Sequence, residues 1–484
     1  MIKRTAAGVL ACLCMVMMCS CGQSSDPSME SIPQNSVALT RQSTSAQPDG
    51  SVTGSTGELP GDTEAAASVP GEGASEQQGS SSPDTSAVQE VQNDERSEEA
   101  VVSATAAKSR GSVPQPSKSG YRRAVWISQF EDNADADGRS AGAYKSKIDN
   151  IMSRCAANGI NTVIVQVRPY SDAYYNSGIF PATKYLSGTQ GVAPGFDALS
   201  IITSSARANG LRIEAWVNPF RVATDTDFGK LAATNPARVM YEQNPQTESL
   251  IICSKGIYYN PSDAAAQKLI IDGVREILNN YDVDGIHFDD YFYPETQITS
   301  DAAAYERYTG QGGTLSLGDW RRKSLSGFIA GVHNAVKACG SGYTFGVSCS
   351  SDTDRNYSKL YADIEGWCAS GYLDYVMPQI YFGFNNSAMP FEEVLNNWSR
   401  IAARTSTTLY AGLAPYKSGK EDKYAGDGKY EWTQSTDIIA RQVSKIHSYD
   451  EYSGYCFFSY SYIFSENASE SAKKELKNYR DMIE

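Results

Sequence analysis

From position 120 onward, short apolar runs alternate with longer stretches in which apolar residues recur every three to four positions. The first pattern predicts buried strands and the second amphipathic helices. Runs at 124–128, 162–168, 212–218, 285–289, 344–350, 372–381, 408–414 and 454–460 read as eight strands. Helical patterns fall at 145–157, 197–209, 264–279, 317–338, 361–370, 391–405, 437–447 and 469–482. Gly159, Gly210, Gly340 and Gly371 each follow a helical stretch, where a left-handed cap favours glycine. Eight βα units in series predict an α/β fold, a (β/α)8 TIM barrel. A doubly wound open sheet is the alternative. No GxGxxG or phosphate loop follows the first strand, which counts against it. Two connections, 219–263 and 295–316, are long and are expected around the barrel mouth, where such barrels place binding loops.

The N-terminus is different material. Lys3 and Arg4 precede an apolar stretch from Ala6 to Met18, too short to span a membrane comfortably. Met18-Cys19-Ser20-Cys21 resembles a bacterial lipobox, which implies cleavage before Cys21 and lipidation of its thiol. Residues 1–21 are therefore expected to be a lipoprotein signal peptide, with the mature protein exported and held at the membrane by its acyl chains. Residues 22–119 are rich in Ser, Thr, Gly, Pro, Gln and Glu and contain no Phe, Trp or Tyr. Such a segment buries too little apolar surface to offset the entropy of ordering, and is expected to be a disordered tether. As a flexible coil its root-mean-square reach is roughly 50–60 Å. Residues 120–484 form the barrel domain.

The formal net charge is −14, and no basic tract stands out. Nucleic-acid binding is not expected, nor recruitment of an acidic polymer by bulk charge. Six cysteines lie in the domain (Cys155, Cys253, Cys339, Cys349, Cys368 and Cys456), with no CxxC spacing to support a zinc site. Several sit in apolar patterns and read as buried free thiols.

Strand parity sorts the candidate chemistry. In the second strand Val163, Val165 and Val167 face the helices, leaving Thr162, Ile164, Gln166 and Arg168 inside. In the third, Ile213, Ala215 and Val217 face out, leaving Glu214, Trp216 and Asn218 inside. The segment Asp284-Gly-Ile-His-Phe-Asp289-Asp290-Tyr-Phe-Tyr-Pro294 reads as a buried strand that ends on carboxylates. Its inward pair is His287 and Asp289, while Asp290 stands at the strand-to-loop boundary. In the sixth, Met377, Gln379 and Tyr381 face in. Ser348 and Ser350 on the fifth are ambiguous, with Asp352 just beyond. The inward residues thus become polar toward the C-terminal strand ends, which converge on the active site in such barrels.

At these residues the chain resembles the glycosyl hydrolase-like 10 family of exported bacterial proteins. The matching stretches are Arg123-Ala-Val-Trp-Ile127, Asn161-Thr-Val-Ile-Val-Gln-Val-Arg-Pro169, Ala215-Trp-Val-Asn-Pro-Phe-Arg-Val222, the Asp284–Pro294 segment and Met377-Pro-Gln-Ile-Tyr381. The resemblance implies a barrel glycosidase, with cell-wall glycan strands among the substrates of some members. Two departures touch the cleft. Relatives usually carry His where this chain has Glu214, and their polar-Trp-Pro stretch appears here as Gln129-Phe-Glu-Asp132.

Glycoside hydrolysis usually needs one carboxyl to protonate the leaving oxygen and another to attack the sugar or activate water. Asp289 is the expected nucleophile or base, kept ionised by Arg168 or His287. Glu214, Asp290 and Asp352 are the candidates for the acid, and Glu214 beside Trp216 has the burial an acid needs. Its alternative role is to pair with Arg168. Trp216, Tyr291, Tyr293 and Tyr381 are candidates for stacking on sugar rings, and Gln166, Arg168, Asn218, His287, Asp352 and Gln379 for polar contacts. No cofactor is expected. The expected partner is a polysaccharide or a peptidoglycan glycan strand. A metal-dependent deacetylase is disfavoured, since the chain has three histidines and His333 and His447 fall in helical patterns. A glycan-binding surface protein that has lost catalysis is the rival from another class, because no carboxylate stands near the ends of strands seven and eight.

Overall fold

A computed structural model of the chain describes residues 121–134, 139–290, 292–294 and 298–484. The expected leader with Cys21, the tether and Tyr291 lie outside the described residues. In chain order the strands are β1 (Arg122–Ile127), β2 (Thr162–Arg168), β3 (Arg212–Val217), β4 (Arg221–Ala223), β5 (Leu250–Cys253), β6 (Gly256–Tyr259), β7 (Gly285–Phe288), β8 (Thr344–Val347), β9 (Tyr375–Val376), β10 (Thr408–Leu413) and β11 (Tyr452–Phe457). Eight of them close into a parallel barrel in the order β1-β2-β3-β7-β8-β9-β10-β11, with β11 pairing back to β1. This is the (β/α)8 barrel that the periodicity predicts. A helix packs outside after each barrel strand: α1 (Ala141–Ala157), α2 (Ala198–Ala208), α3 (Ala264–Asn280), α4 (Leu317–Cys339), α5 (Ile364–Ala369), α6 (Phe391–Ala402), α7 (Ile438–His447) and α8 (Glu470–Ile483).

Short polar residues start six of these eight helices, because their side chains take up otherwise unsatisfied amide hydrogens. Asp263 caps α3 through Ala266 N at 2.8 Å, and Ser469 caps α8 through Ala472 N at 3.1 Å. Helix α7 is capped from a neighbour instead. The buried Glu475 carboxyl of α8 accepts Ile438 N and Ile439 N at 3.1 and 3.0 Å, joining the last two helices. Gly159, Gly210 and Gly371 take the expected left-handed conformation, but Gly340 has φ 161°, which is extended backbone.

The parity assignment separates two cores. Val163, Val165, Ile213, Ala215, Ile286, Phe288, Val376 and Ile380 belong to the layer between barrel and helices. Ala124, Trp126, Ile164, Trp216, Tyr375, Met377, Tyr410 and Cys456 fill the lumen. Large rings in so narrow a space need glycine opposite them. A Cβ on Gly346 would lie 2.1 Å from the Tyr375 ring, and one on Gly412 3.0 Å from Trp126. Strand β9 is much shorter than the predicted 372–381, since Pro378 has no amide hydrogen to give the ladder. Pairing resumes beyond it as single bridges from Gln379 to Ser350 and Gly412.

The first long connection, 219–263, folds into the antiparallel sheet β4-β6-β5. Gly256 makes its hairpin possible: φ is +116°, and a Cβ there would meet Ala223 O at 2.1 Å. The second contributes the helix Ala302–Gly310. Arg307 reaches from that helix to grip both oxygens of Glu248 at 2.8 and 2.6 Å, tying the two connections together. All six cysteines of the domain are free thiols, four of them buried.

Candidate active site at the barrel mouth

The lumen carries its charge deep. Arg122 at the start of β1 and Glu214 of β3 form an ion pair at 2.8 Å, with 4% and 0% of their side chains exposed. Burial presses the guanidinium toward neutrality, but the adjacent carboxylate outweighs it and holds Arg122 charged. The guanidinium also lies against two rings, 4.7 Å from the centre of Tyr375 and 4.4 Å from that of Tyr410. Glu214 takes further bonds from Thr344 Oγ1 at 3.1 Å and from the Tyr375 hydroxyl.

From this pair a directed chain of hydrogen bonds runs up the lumen. Trp126 Nε1 donates to His287 Nε2 at 3.2 Å, so that nitrogen is an acceptor and the imidazole proton sits on Nδ1. His287 Nδ1 then donates to Tyr375 Oη at 2.7 Å, and Tyr375 donates to Glu214. Ser348 Oγ, 2.9 Å from Nε2, donates as well. Burial, helped by the charge of Arg122, pushes His287 down to about 3. The ring is neutral and serves as a strut.

Glu214 is therefore sealed beneath the mouth by an internal ion pair, and its partner is Arg122 rather than Arg168. That placement corrects the expectation of a cleft-facing acid. His287 points to Trp126, Ser348 and Tyr375, and being neutral it supplies no charge to hold Asp289 ionised. Arg168 also departs from expectation. The β2–β3 register shifts between Gln166 and Arg168, which turns Arg168 out of the lumen. Its guanidinium donates to Asn218 O at 3.0 Å and Pro219 O at 2.7 Å and lies 4.8 Å from the Phe180 ring centre. It clamps the end of β3 and makes no direct bond to either candidate carboxylate.

Asp289 sits just past β7, 3% exposed, where the lumen opens. Its Oδ2 accepts Trp216 Nε1 at 3.1 Å and Asn218 Nδ2 at 2.5 Å. Two N–H donors on one oxygen make Oδ2 an acceptor, so any proton the group carries sits on Oδ1. The Asn218 amide is itself oriented: Gln166 Nε2 donates to its Oδ1 at 2.7 Å, and Gln129 N donates to Gln166 Oε1 at 3.0 Å. Thus Gln166, Trp216 and Asn218 are brought together around Asp289 as parity implies. Asp290, half-buried, lies beyond the strand, so alternation no longer fixes its direction. Burial raises the Tyr381 hydroxyl, and Tyr416, Cys456 and the charges of both aspartates add to the shift.

Tyr381 lies 5.8 Å from Tyr416 and 6.0 Å from Phe458, and Phe458 lies 5.9 Å from Trp126, centre to centre. Gln379 is half-buried beside Tyr381 in the chain and donates to Ser348 O at 3.3 Å. Asp352 is spent on a cap, accepting Arg355 N at 3.0 Å. Tyr293 is 1% exposed and packed on Tyr361 and Arg321, so it belongs to the core rather than to a sugar-stacking surface.

A family model described as glycosyl hydrolase-like 10 matches residues 122–428. The chain belongs to the glycosyl hydrolase-like 10 family. Glycosyl hydrolase YngK of Bacillus subtilis is 33% identical over 316 residues, 61% of each protein, so the chain spans about three-fifths of that relative. Glycosyl hydrolase DigH of Escherichia coli is 32% identical over 329 residues, 63% of this chain and 73% of that protein. In fold, the chain is similar to the glycoside hydrolase domain of PgaB (BpsB) from Bordetella bronchiseptica. The TM-score is 0.51 at 13% identity, over 75% of this chain and 98% of that one.

In this glycosyl hydrolase-like 10 domain the site also draws on β1, β10 and β11. Arg122 and Trp126 share the inward parity of β1 with Ala124. Tyr416 and Phe458 follow β10 and β11, the next two strands of the barrel after β9, and this adjacency brings them beside Tyr381. Glu131, in the loop after β1, accepts Ser128 N at 2.6 Å, Ser459 Oγ at 2.6 Å and Ser461 N at 2.5 Å. It fastens the loop after β1 to the loop after β11 across the seam of the barrel.

Unfolding frees His287 to titrate at its ordinary value of 6.5, whereas the folded ring resists protonation until about 3. Between those values the unfolded chain binds more protons, so stability falls with falling pH and returns as pH rises. Chemical denaturation of wild type and His287→Gln at pH 7 and pH 5 measures this. Wild type is expected to lose about 2 kcal/mol more than the variant across that interval. Equal losses would show that His287 is not held neutral.

Proposed function

We propose that the domain hydrolyses glycosidic bonds of a polysaccharide at the barrel mouth, with peptidoglycan glycan strands the expected class, through Asp289 and Asp290. The observation that carries this reading is the anchoring of Asp289 Oδ2 by Trp216 and Asn218 at the C-terminal strand ends. A buried carboxylate is costly unless it is bonded or used. Here two donors to Oδ2 orient it at the end of its strand. Asp289 acts as nucleophile or base. Asp290 is the acid, since Glu214 is sealed below and Asp352 caps a helix. Tyr381, Tyr416 and Phe458 give the apolar wall against which sugar rings rest. Membership of the glycosyl hydrolase-like 10 family supports the reaction class. The relatives YngK and DigH, both named glycosyl hydrolases, agree with it.

The test is release of new reducing ends from peptide-free peptidoglycan and common polysaccharides. Wild type is expected to release them from at least one. Asp289→Asn is expected to be at least about a hundredfold slower, while unfolding at an unchanged temperature. Tight binding without release by either protein would replace the reading with that of a glycan-binding protein.

We also propose that Cys21 carries acyl chains that hold the exported protein at the membrane, on the lipobox-like Met18–Cys21 stretch. Among the described residues no helix is long and apolar enough to cross a membrane. Cys21→Ala is expected to leave the membrane fraction and lose incorporation of labelled palmitate. A variant that stays membrane-bound and labelled contradicts the assignment.

A further inference from the structure

Pairing of the segment after β9 with its neighbour strand ends at Ile380, whose amide hydrogen goes to Gly412 O at 2.9 Å. The residues that follow, Tyr381 first among them, still carry backbone groups that need partners. Side chains from the loop after β10 and from α7 supply them. Lys417 Nζ donates to Tyr381 O at 2.7 Å, and Gln442 Nε2 donates to Phe382 O at 2.8 Å. The Glu431 carboxylate accepts Phe384 N at 3.1 Å and Asn385 N at 2.9 Å. Gly383 lets that carboxylate approach, since a Cβ there would lie 2.1 Å from Glu431 Oε2. Lys417 is itself fixed by an ion pair with Asp422 at 2.6 Å, in which the side chains are 17% and 8% exposed.

We infer that Lys417 is a positioning residue for the aromatic wall of the mouth, bracketing Tyr381 and Tyr416 without touching substrate. The inference rests on the glycosidase reading of that mouth. Lys417 follows Tyr416 in the chain and grips the carbonyl of Tyr381, so one side chain ties together the two loops that carry the rings. The rings meet edge-on, 5.8 Å apart and 86° between planes, a geometry that a shift of either loop would change. Two of the Nζ donors are committed, to Tyr381 O and to Asp422 Oδ2, which suits holding rather than reacting. A wall that only carries sugar rings contributes equally to substrate and transition state. Its displacement therefore appears in KM rather than in kcat.

The test compares full-length wild type, Lys417→Met and the double variant Lys417→Met/Asp422→Leu, on whichever polysaccharide wild type cleaves. The single variant strands the Asp422 charge and is expected to lower Tm by about 5–10 °C. Removing both charges together is expected to bring Tm back to within about 3 °C of wild type. It does not restore the bond to Tyr381 O. The double variant is therefore expected to keep a KM raised about tenfold, with kcat within about threefold of wild type. A KM that returns to the wild-type value along with Tm overturns the positioning role while the glycosidase reading stands. So does a double variant as unstable as the single one, which assigns the pair to folding alone, and so does a loss carried by kcat instead of KM. No release of reducing ends by wild type, from peptide-free peptidoglycan or from any of the common polysaccharides, overturns both.

Discussion

The Arg122–Glu214 pair is the constraint on which the rest of the lumen depends. Two charges buried in a barrel core are costly to dehydrate, and their attraction repays this only when the remaining hydrogen-bonding capacity is met. Tyr375, Thr344 and the ring faces of Tyr375 and Tyr410 meet much of it. Because the Tyr375 hydroxyl is committed to Glu214, His287 must present Nδ1–H to it and turn its bare nitrogen to Trp126. One charged contact near the bottom of the barrel thereby sets the direction of every hydrogen bond up to Trp126 in the floor of the mouth.

Above that floor the chemistry changes character. Asp289 is held by neutral amide and indole donors, which position a carboxylate without cancelling its charge. Arg168 supports them from behind by gripping the carbonyls of Asn218 and Pro219. The Arg122–Glu214 charges are locked together below, and Asp289 stands above them at the end of β7. The aromatic surface around Tyr381 and Phe458 closes on Trp126 across the seam of the barrel.

Much of this is legible in the sequence because a strand alternates strictly. Parity alone brings Gln166, Trp216, Asn218 and Asp289 to one side, and the eight apolar runs announce the barrel. Parity reports side and not depth, however. Glu214 shares the inward side with Asn218 but lies four residues earlier on β3, roughly 13 Å deeper at the usual strand rise. It also fails wherever a strand is irregular. The register shift after Gln166 ejects Arg168, and the end of β7 frees Asp290 from alternation. Contacts between the first and last strands, such as Trp126 with Phe458 or Glu131 with Ser459, come from closure and leave no local trace.

The dependence of the lumen on its ion pair is most directly measured by a double-mutant cycle on equilibrium stability. Arg122→Met and Glu214→Leu alone are each expected to cost about 3–5 kcal/mol, because each strands a charge in the barrel, and the double variant should recover most of that loss. Losses that simply add in the double variant, or single variants within about 1 kcal/mol of wild type, would contradict the account.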